Sequence, residues 1–335
     1  MSCTIGSLFT GYGGLDMGVA AALGESRVAW TSDIDKGACK AIAHHHPDTP
    51  NLGDITTIDW ATVEPVDVIT GGSPCQDLSA AGRRAGMTAG TRSNLWVAMR
   101  EAIAILQPRL VVWENVRGAY SATADSGLEH CPGCMGDPAD RGPVLRALGR
   151  VLGDLSELGY DAVWHGLRAA DVGAPHARFR VFVVAYPQGS PWRIEHQEHP
   201  ASRVETDLGA TLHQHSELLP TPMAAGNEIK QSDGWSRSFH ELVHGITPWS
   251  RYSEAITHWE RILGRPAPEP LTTSVKTGRP QLSALLVEWM MGLSAGHVTD
   301  IPNTSRVEQL KLLGNGVVPQ QAAEAVRFAL TVGAS

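Results

Sequence analysis

Short apolar runs alternate with amphipathic stretches through the first half of this chain. Thr4–Phe9, Val28–Ser32, Val66–Thr70, Leu110–Trp113 and Phe179–Ala185 are compact apolar runs, the mark of buried strands. Between them Gly14–Leu23, Lys36–His45 and Asn94–Leu106 carry helical patterning. Pro143–Leu158 sets Val144, Leu148, Val151, Leu155 and Leu158 at helical spacing. Strands alternating with helices predict an α/β fold, a doubly wound, mostly parallel sheet covered on both faces.

The pattern breaks after Tyr186. From there to about Pro280 the chain is polar, rich in Pro, His, Trp and Ser, with no sustained period. Trp192, Trp235, Trp249, Trp259 and Trp289 nevertheless fall between Tyr186 and Met290, a composition unlike a solvated tail. It is expected to be a second, smaller, loop-rich domain. Regular patterning returns at Leu282–Leu293 and in a last helix, Val318–Leu330, where Ala322, Ala325, Val326, Ala329 and Leu330 form an apolar stripe.

Composition narrows the class. The chain has 335 residues, 42% of them hydrophobic, enough for a large domain carrying a smaller one. No apolar run reaches the roughly 18 residues that a membrane helix needs. Met1–Ile5 has no basic region ahead of an apolar core, so no signal peptide is expected. Five cysteines at irregular spacing argue against a disulfide framework and for a reducing cytoplasm. A net charge of −8 sits awkwardly with a nucleic-acid partner. Only the local field matters for such a partner, however, and Arg83, Arg84, Arg92, Arg178 and Arg180 cluster near the motifs.

Those motifs lie at strand ends, where open α/β sheets do their chemistry. Ser7–Asp16 holds a glycine-rich turn between first strand and first helix, which lets a nucleotide-like ligand approach the backbone. Its spacing is not that of a pyrophosphate loop, and an ordinary tight turn reads the same way. Asp33 ends the second strand, where an acid can accept from ribose hydroxyls, and Asp54 follows the next apolar stretch. Each could equally cap a helix. Cys75, in Gly71-Gly72-Ser73-Pro74-Cys75-Gln76, sits on a loop among polar neighbours, where a thiol can ionise. Glu114-Asn115-Val116 follows another strand. A thiol and a carboxylate at adjacent strand ends form a layout for covalent catalysis with acid assistance.

Alternation in Arg178-Phe179-Arg180 puts both guanidiniums on one face of a strand, to orient Glu114 or bind a base and its phosphate, or merely to form a surface ion pair. Cys131-Pro132-Gly133-Cys134, with His130 beside it, is half a zinc motif. No second such pair follows, and no metal is expected.

In this order the blocks resemble those of the bacterial and phage DNA cytosine-5 methyltransferases, over nearly the whole chain. Phe9–Gly18 resembles the family's S-adenosylmethionine loop, Gly71–Gln76 its Pro-Cys-Gln loop, and Arg92-Ser93 with Leu95 the next block. Glu114-Asn115-Val116 matches its Glu-Asn-Val strand end, Arg178-Phe179-Arg180 its arginine strand, and Leu313–Val318 its final block. The resemblance implies an S-adenosylmethionine-dependent methyltransferase fold, with a catalytic domain at 1–185 plus 303–335 and a target-recognition domain at 186–302. It implies cofactor contacts from Phe9, Gly11, Gly13, Gly14 and Leu15, from Asp33, Ile34, Asp54 and Ile55, and from Asn315 and Val317.

It also implies a mechanism. Cys75 adds to C6 of a flipped-out cytosine while Glu114 hydrogen-bonds or protonates N3, making C5 nucleophilic toward the methyl group. Pro74, Gln76 and Asn115 would position the loop or base, and Arg178 and Arg180 would support Glu114 and the nucleotide. Asp77–Ser93 would close over duplex DNA, with Ser79, Arg83, Arg84 and Arg92 at the substrate. Asn227, Lys230, Gln231, Arg237 and Arg251 are candidate readers of base edges. A monomer in the cytoplasm of a bacterial or phage-infected cell is expected, with any cognate restriction endonuclease acting separately.

This chain departs from the family at His176 and Ala177, where Gln and a larger polar residue are usual, and at Asp33-Ile34, where Glu-Trp is common. Gly316 stands for the commoner Ser or Ala, read as a small change. Two other readings share the motifs: an RNA cytosine-5 methyltransferase, and a catalytically silent DNA-binding module.

Overall fold

The apolar runs pair where their alternation predicts. The structure, a computed structural model, describes residues 2–73, 95–120, 147–189, 252–275 and 278–332. Strands β1 (Cys3–Leu8), β2 (Ser26–Ser32), β3 (Val68–Gly71) and β4 (Leu110–Val116) run parallel, and β5 (Tyr160–Arg168) and β6 (Phe179–Pro187) complete a sheet of order β2-β1-β3-β4-β6-β5. Strand β6 is antiparallel to both of its neighbours. The sheet is therefore mostly parallel, as expected, with one reversed strand. Strand β4 runs further than its apolar run, so Glu114 and Asn115 are in the strand and not beyond it.

The pleat sends alternate residues to two buried faces. Ile69, Val111, Trp113, Val181 and Val183 pack beneath α3 (Trp96–Leu106) and α4 (Ala147–Glu157), with Trp30 and Trp60 in the same core. Val68, Leu110, Val112, Phe182 and Val184 pack on the other face, against α1 (Gly14–Leu23) and the C-terminal helix. Both faces being covered explains why these strands read as continuous apolar runs.

Helix α2 (Lys36–His45) starts at Asp35, whose carboxylate accepts from the Gly37 and Ala38 amides. From residue 252 onward come α5 (Ser253–Leu263), a hairpin of β7 (Leu271–Thr273) and β8 (Pro280–Leu282), and α6 (Ala284–Met290). Helices α7 (Arg306–Asn315) and α8 (Pro319–Val332) follow. Ser305 and Glu308 make a capping box at the start of α7, a pattern written in Ser305-Arg306-Val307-Glu308.

A third core joins these later elements to the first half. Trp259 and Trp289, both fully buried, share it with Ala38 and Ala41 of α2 and with Tyr12 of the glycine-rich turn. The Trp259 indole donates to the Trp289 carbonyl at 2.9 Å. Among the described residues no helix is long and apolar enough to cross a membrane.

Candidate active site

The carboxyl ends of β1 to β4 border one cavity of about 630 Å³, closed on its far side by the segment between α7 and α8. The first wall is the turn after β1. The Phe9 backbone takes a left-handed φ of 54°, Gly11 and Gly13 follow at 59° and 82°, and α1 begins at Gly14. The Gly11 amide donates to Asp33 Oδ2 at 2.9 Å, so the acid at the end of β2 holds the turn in place. Its other oxygen accepts from the Asp35 amide at 2.8 Å. Burial raises the Asp33 pKa, opposed chiefly by these backbone donors.

Ile34 is 69% exposed at the cavity edge, while Ile55, also on the cavity, is buried. Asp54 is exposed and caps a short helical turn by accepting from the Thr56 amide at 3.0 Å. Asp35 and Lys311 form an ion pair across the cavity's rim. A carboxylate, an apolar pair and bare glycine backbone on one cavity suit a nucleoside.

Of the expected cofactor residues, Phe9, Gly11, Gly14, Leu15, Asp33, Ile34, Asp54, Ile55, Asn315 and Val317 all line this cavity. Gly13 sits in the turn without lining it. Asp16 also lines it, a residue that sequence reasoning passed over. Buried in α1, it accepts from Ser7 Oγ at 2.6 Å and from the Thr70 hydroxyl. Burial raises its pKa to about 6 against the pull of those two hydroxyls. The signal was an acid between Leu15 and Val19, on the apolar side of α1.

The second wall carries Glu114. Its Oε1 lies 2.6 Å from Arg180 Nε, and both side chains are largely buried. Burial pushes the Glu114 pKa up, and the Arg180 and Arg178 charges pull it back. Gly72 passes so close that a Cβ there would lie 2.8 Å from Glu114 Oε2. Ser73, two residues before Cys75, is gripped by β4. Asn115 Nδ2 donates to the Ser73 carbonyl at 3.2 Å, and the Trp113 indole donates to its hydroxyl at 3.1 Å.

The two arginines take different work. Arg178 precedes β6, so strand alternation does not apply to it. Its Nη1 donates to the Gly314 carbonyl at 3.0 Å and its Nη2 to the Gly316 carbonyl at 2.5 Å. It holds the cavity's third wall, whereas Arg180 holds Glu114. His176 is fully buried, with Nε2 3.1 Å from the Met290 carbonyl and Nδ1 facing the Arg178 amide at 3.4 Å. Burial lowers its pKa to about 3, so it is a neutral strut.

Pro74, Cys75, Gln76, Ser79, Arg83, Arg84, Arg92, Asn227, Lys230, Gln231, Arg237 and Arg251 lie outside the described residues, as do His130, Cys131 and Cys134.

The chain resembles known proteins in sequence and in fold. The chain is 33% identical over 205 residues to the type II methyltransferase M.AquIA of Picosynechococcus, covering 58% of this chain and 77% of that protein. It is 27% identical over 256 residues to the type II methyltransferase M.NlaIV of Neisseria lactamica, covering 72% of this chain and 57% of the relative. Among solved structures, the S. pombe Dnmt2 methyltransferase matches 98% of this chain and 99% of its own, with a TM-score of 0.60 at 13% identity, a likeness of fold. The family model for C-5 cytosine-specific DNA methylases matches residues 3–266, from β1 through Glu114 to the end of α5, and the chain belongs to that family.

Proposed function

We propose that this chain methylates C5 of a flipped-out cytosine in a short, specific duplex DNA site. One observation carries the reading: Glu114, held by Arg180, faces the same cavity as Asp33 and the glycine-rich turn. A base donor and a nucleoside cradle thus share one chamber. S-adenosylmethionine is the methyl donor, and when bound it supplies an electrophilic methyl group. Asp33 would accept from its ribose, Ile34 and Ile55 would pack on its adenine, and Asn315 and Val317 would close over it.

The residues of this chain do the rest. The Cys75 thiolate adds to cytosine C6, and Glu114 passes a proton to N3, so the electron pair gathers at C5. A raised Glu114 pKa favours a carboxyl that still holds that proton. After methylation Glu114 takes the N3 proton back, the C5 proton leaves to solvent, and its electron pair re-forms the C5–C6 double bond as the C6–S bond breaks and the thiolate is regenerated. Asn115 and Trp113, by gripping Ser73, would fix the root of the Cys75 loop. Target reading falls to a domain within 186–302, with Asn227 and Arg237 among its base readers, and Ser79, Arg83 and Arg92 would contact the substrate strand. The protein would act as a monomer in the cytoplasm, apart from any cognate endonuclease.

The test is bisulfite sequencing of DNA from cells expressing the chain, beside a Cys75→Ser control. Methylcytosine at one short motif, absent with Cys75→Ser, is the expected result. Equal methylation in both would remove Cys75 from the mechanism. No methylation in either would turn attention to RNA or to a silent module, which tritium transfer from labelled cofactor to transfer RNA would separate.

A further inference from the structure

Tyr12 sits within the glycine-rich turn, yet it does not line the cavity that Gly11 and Gly14 line on either side of it. It turns inward and is 3% exposed. Its hydroxyl donates to the Val317 carbonyl at 2.6 Å. Its own carbonyl faces His297 Nε2 at 2.9 Å, and the two rings meet edge to face at 6.0 Å. Its ring fills the space where a side chain at 316 would begin, since a Cβ built on Gly316 would fall against the Tyr12 ring carbons. A Cβ on Gly14 would meet the same ring at 2.6 Å.

The segment it touches needs such help. Between α7 and α8 the backbone is irregular, and buried carbonyls there must find donors outside a helix ladder. Arg178 takes those of Gly314 and Gly316, and Tyr12 takes that of Val317. Asn315, Gly316 and Val317 are at the same time a wall of the cavity. The position of that wall thus depends on two side chains, of which only Tyr12 belongs to the opposite wall.

We propose that Tyr12 and Gly316 are a matched pair that seats the C-terminal return against the glycine-rich turn and so sets cofactor affinity. Tyr12 is a positioning residue, acting through Val317 and Gly316, and its ring is what demands glycine at 316. Gly316 is then no small change from Ser or Ala: in this chain either would collide with Tyr12. The inference rests on the reading of the cavity as the S-adenosylmethionine site.

Calorimetric titration with S-adenosylhomocysteine tests it, with thermal melts to verify folding. Tyr12→Phe keeps the ring and drops the hydroxyl, leaving the Val317 carbonyl unpaired, and should weaken binding about tenfold. Gly316→Ser should weaken it by more, while Tyr12→Ala combined with Gly316→Ser should bind better than Gly316→Ser alone. At saturating cofactor, kcat of Tyr12→Phe should stay within about twofold of wild type while KM for the cofactor rises.

Wild-type affinity in Gly316→Ser would overturn the pairing, as would a double variant no better than the single. Should Gly316→Ser fail to fold, Tyr12→Phe still decides, and unchanged affinity there would overturn the positioning role. A wild-type protein that binds no S-adenosylhomocysteine would overturn the cofactor reading and this inference with it. Binding by wild type and weakening in Tyr12→Phe separate the two.

Discussion

At the scale of single residues, the strand-end cavity is lined by acids, Asp16, Asp33 and Glu114, that burial holds away from their ordinary ionisation. Glu114 is kept between the Arg180 guanidinium and the strand interior, where burial raises its pKa against the pull of the arginine, and a Cβ at 72 would press on its carboxylate. Glu114→Gln removes the transferable proton and keeps the shape. Single-turnover methyl transfer should fall by about two to four orders of magnitude while DNA affinity changes little, as expected for lost acid catalysis. Equal losses in both would make Glu114 structural.

Asp16 gives a second residue-scale prediction. Its folded pKa of about 6 lies above the ordinary value of 3.8, so the folded state holds the proton more tightly. The stability this provides is complete below the ordinary value and is lost as pH rises through 6. Other shifted carboxyls, Asp33 and Glu114 upward and Asp35 and Asp67 downward, shape the total curve. The difference between wild type and Asp16→Asn isolates this one. Thermal melts from pH 4 to 7 should show wild type losing stability relative to the variant, and parallel curves would refute it. An acid of this kind is hard to read from sequence, because its partners Ser7 and Thr70 come from different strands.

At the scale of elements, what the sequence revealed follows burial. Strands β1, β3 and β4 lie inside the sheet with both faces covered, so each reads as an apolar run with clear ends. Strand β5 is at the edge, with Trp164 49% exposed, and its mixed pattern hides it. Helix α5 buries only Ala255, Ile256 and Trp259 among polar residues, too few for a visible period. The cavity-lining residues at strand ends, Gly11, Asp33 and Glu114 among them, were legible because glycines and acids interrupt apolar runs there. The division of labour between Arg178 and Arg180 was not, since it depends on β6 beginning one residue after Arg178.

That boundary yields a prediction. Arg178 uses two nitrogens on two carbonyls, a fork that lysine cannot reproduce. Arg178→Lys should lose about 1.5–3 kcal/mol, or roughly 10- to 100-fold in affinity for S-adenosylhomocysteine. Its kcat at saturation should fall far less. A fall in kcat alone, with cofactor affinity intact, would place Arg178 with the reacting base instead.

At the scale of the molecule, the late segments are woven into the early ones. Gln321 of α8 donates to the Leu167 carbonyl at 2.6 Å and to the Arg178 carbonyl at 3.1 Å, joining the last helix to the end of β5 and the root of β6. Lys40 of α2 reaches the Asn303 carbonyl and pairs with Glu308. Trp259 and Trp289, from a stretch that looked in sequence like a separate unit, share a core with α2 and Tyr12. A boundary at 302 would cut through contacts of this kind, so segment 186–302 should melt together with the strand-end cavity.

Trp259→Ala puts that to the test. Removing a fully buried Trp should cost about 3–5 kcal/mol. If the shared core makes one cooperative unit, calorimetry will show a single transition in wild type and a single, lowered one in Trp259→Ala. S-adenosylhomocysteine at a hundred times its Kd would then add about 2.7 kcal/mol to the whole transition in both proteins. Two transitions, only one of them raised by the ligand and the other lowered by the substitution, would instead show that 186–302 folds on its own, and that the third core is a docking seam between two domains.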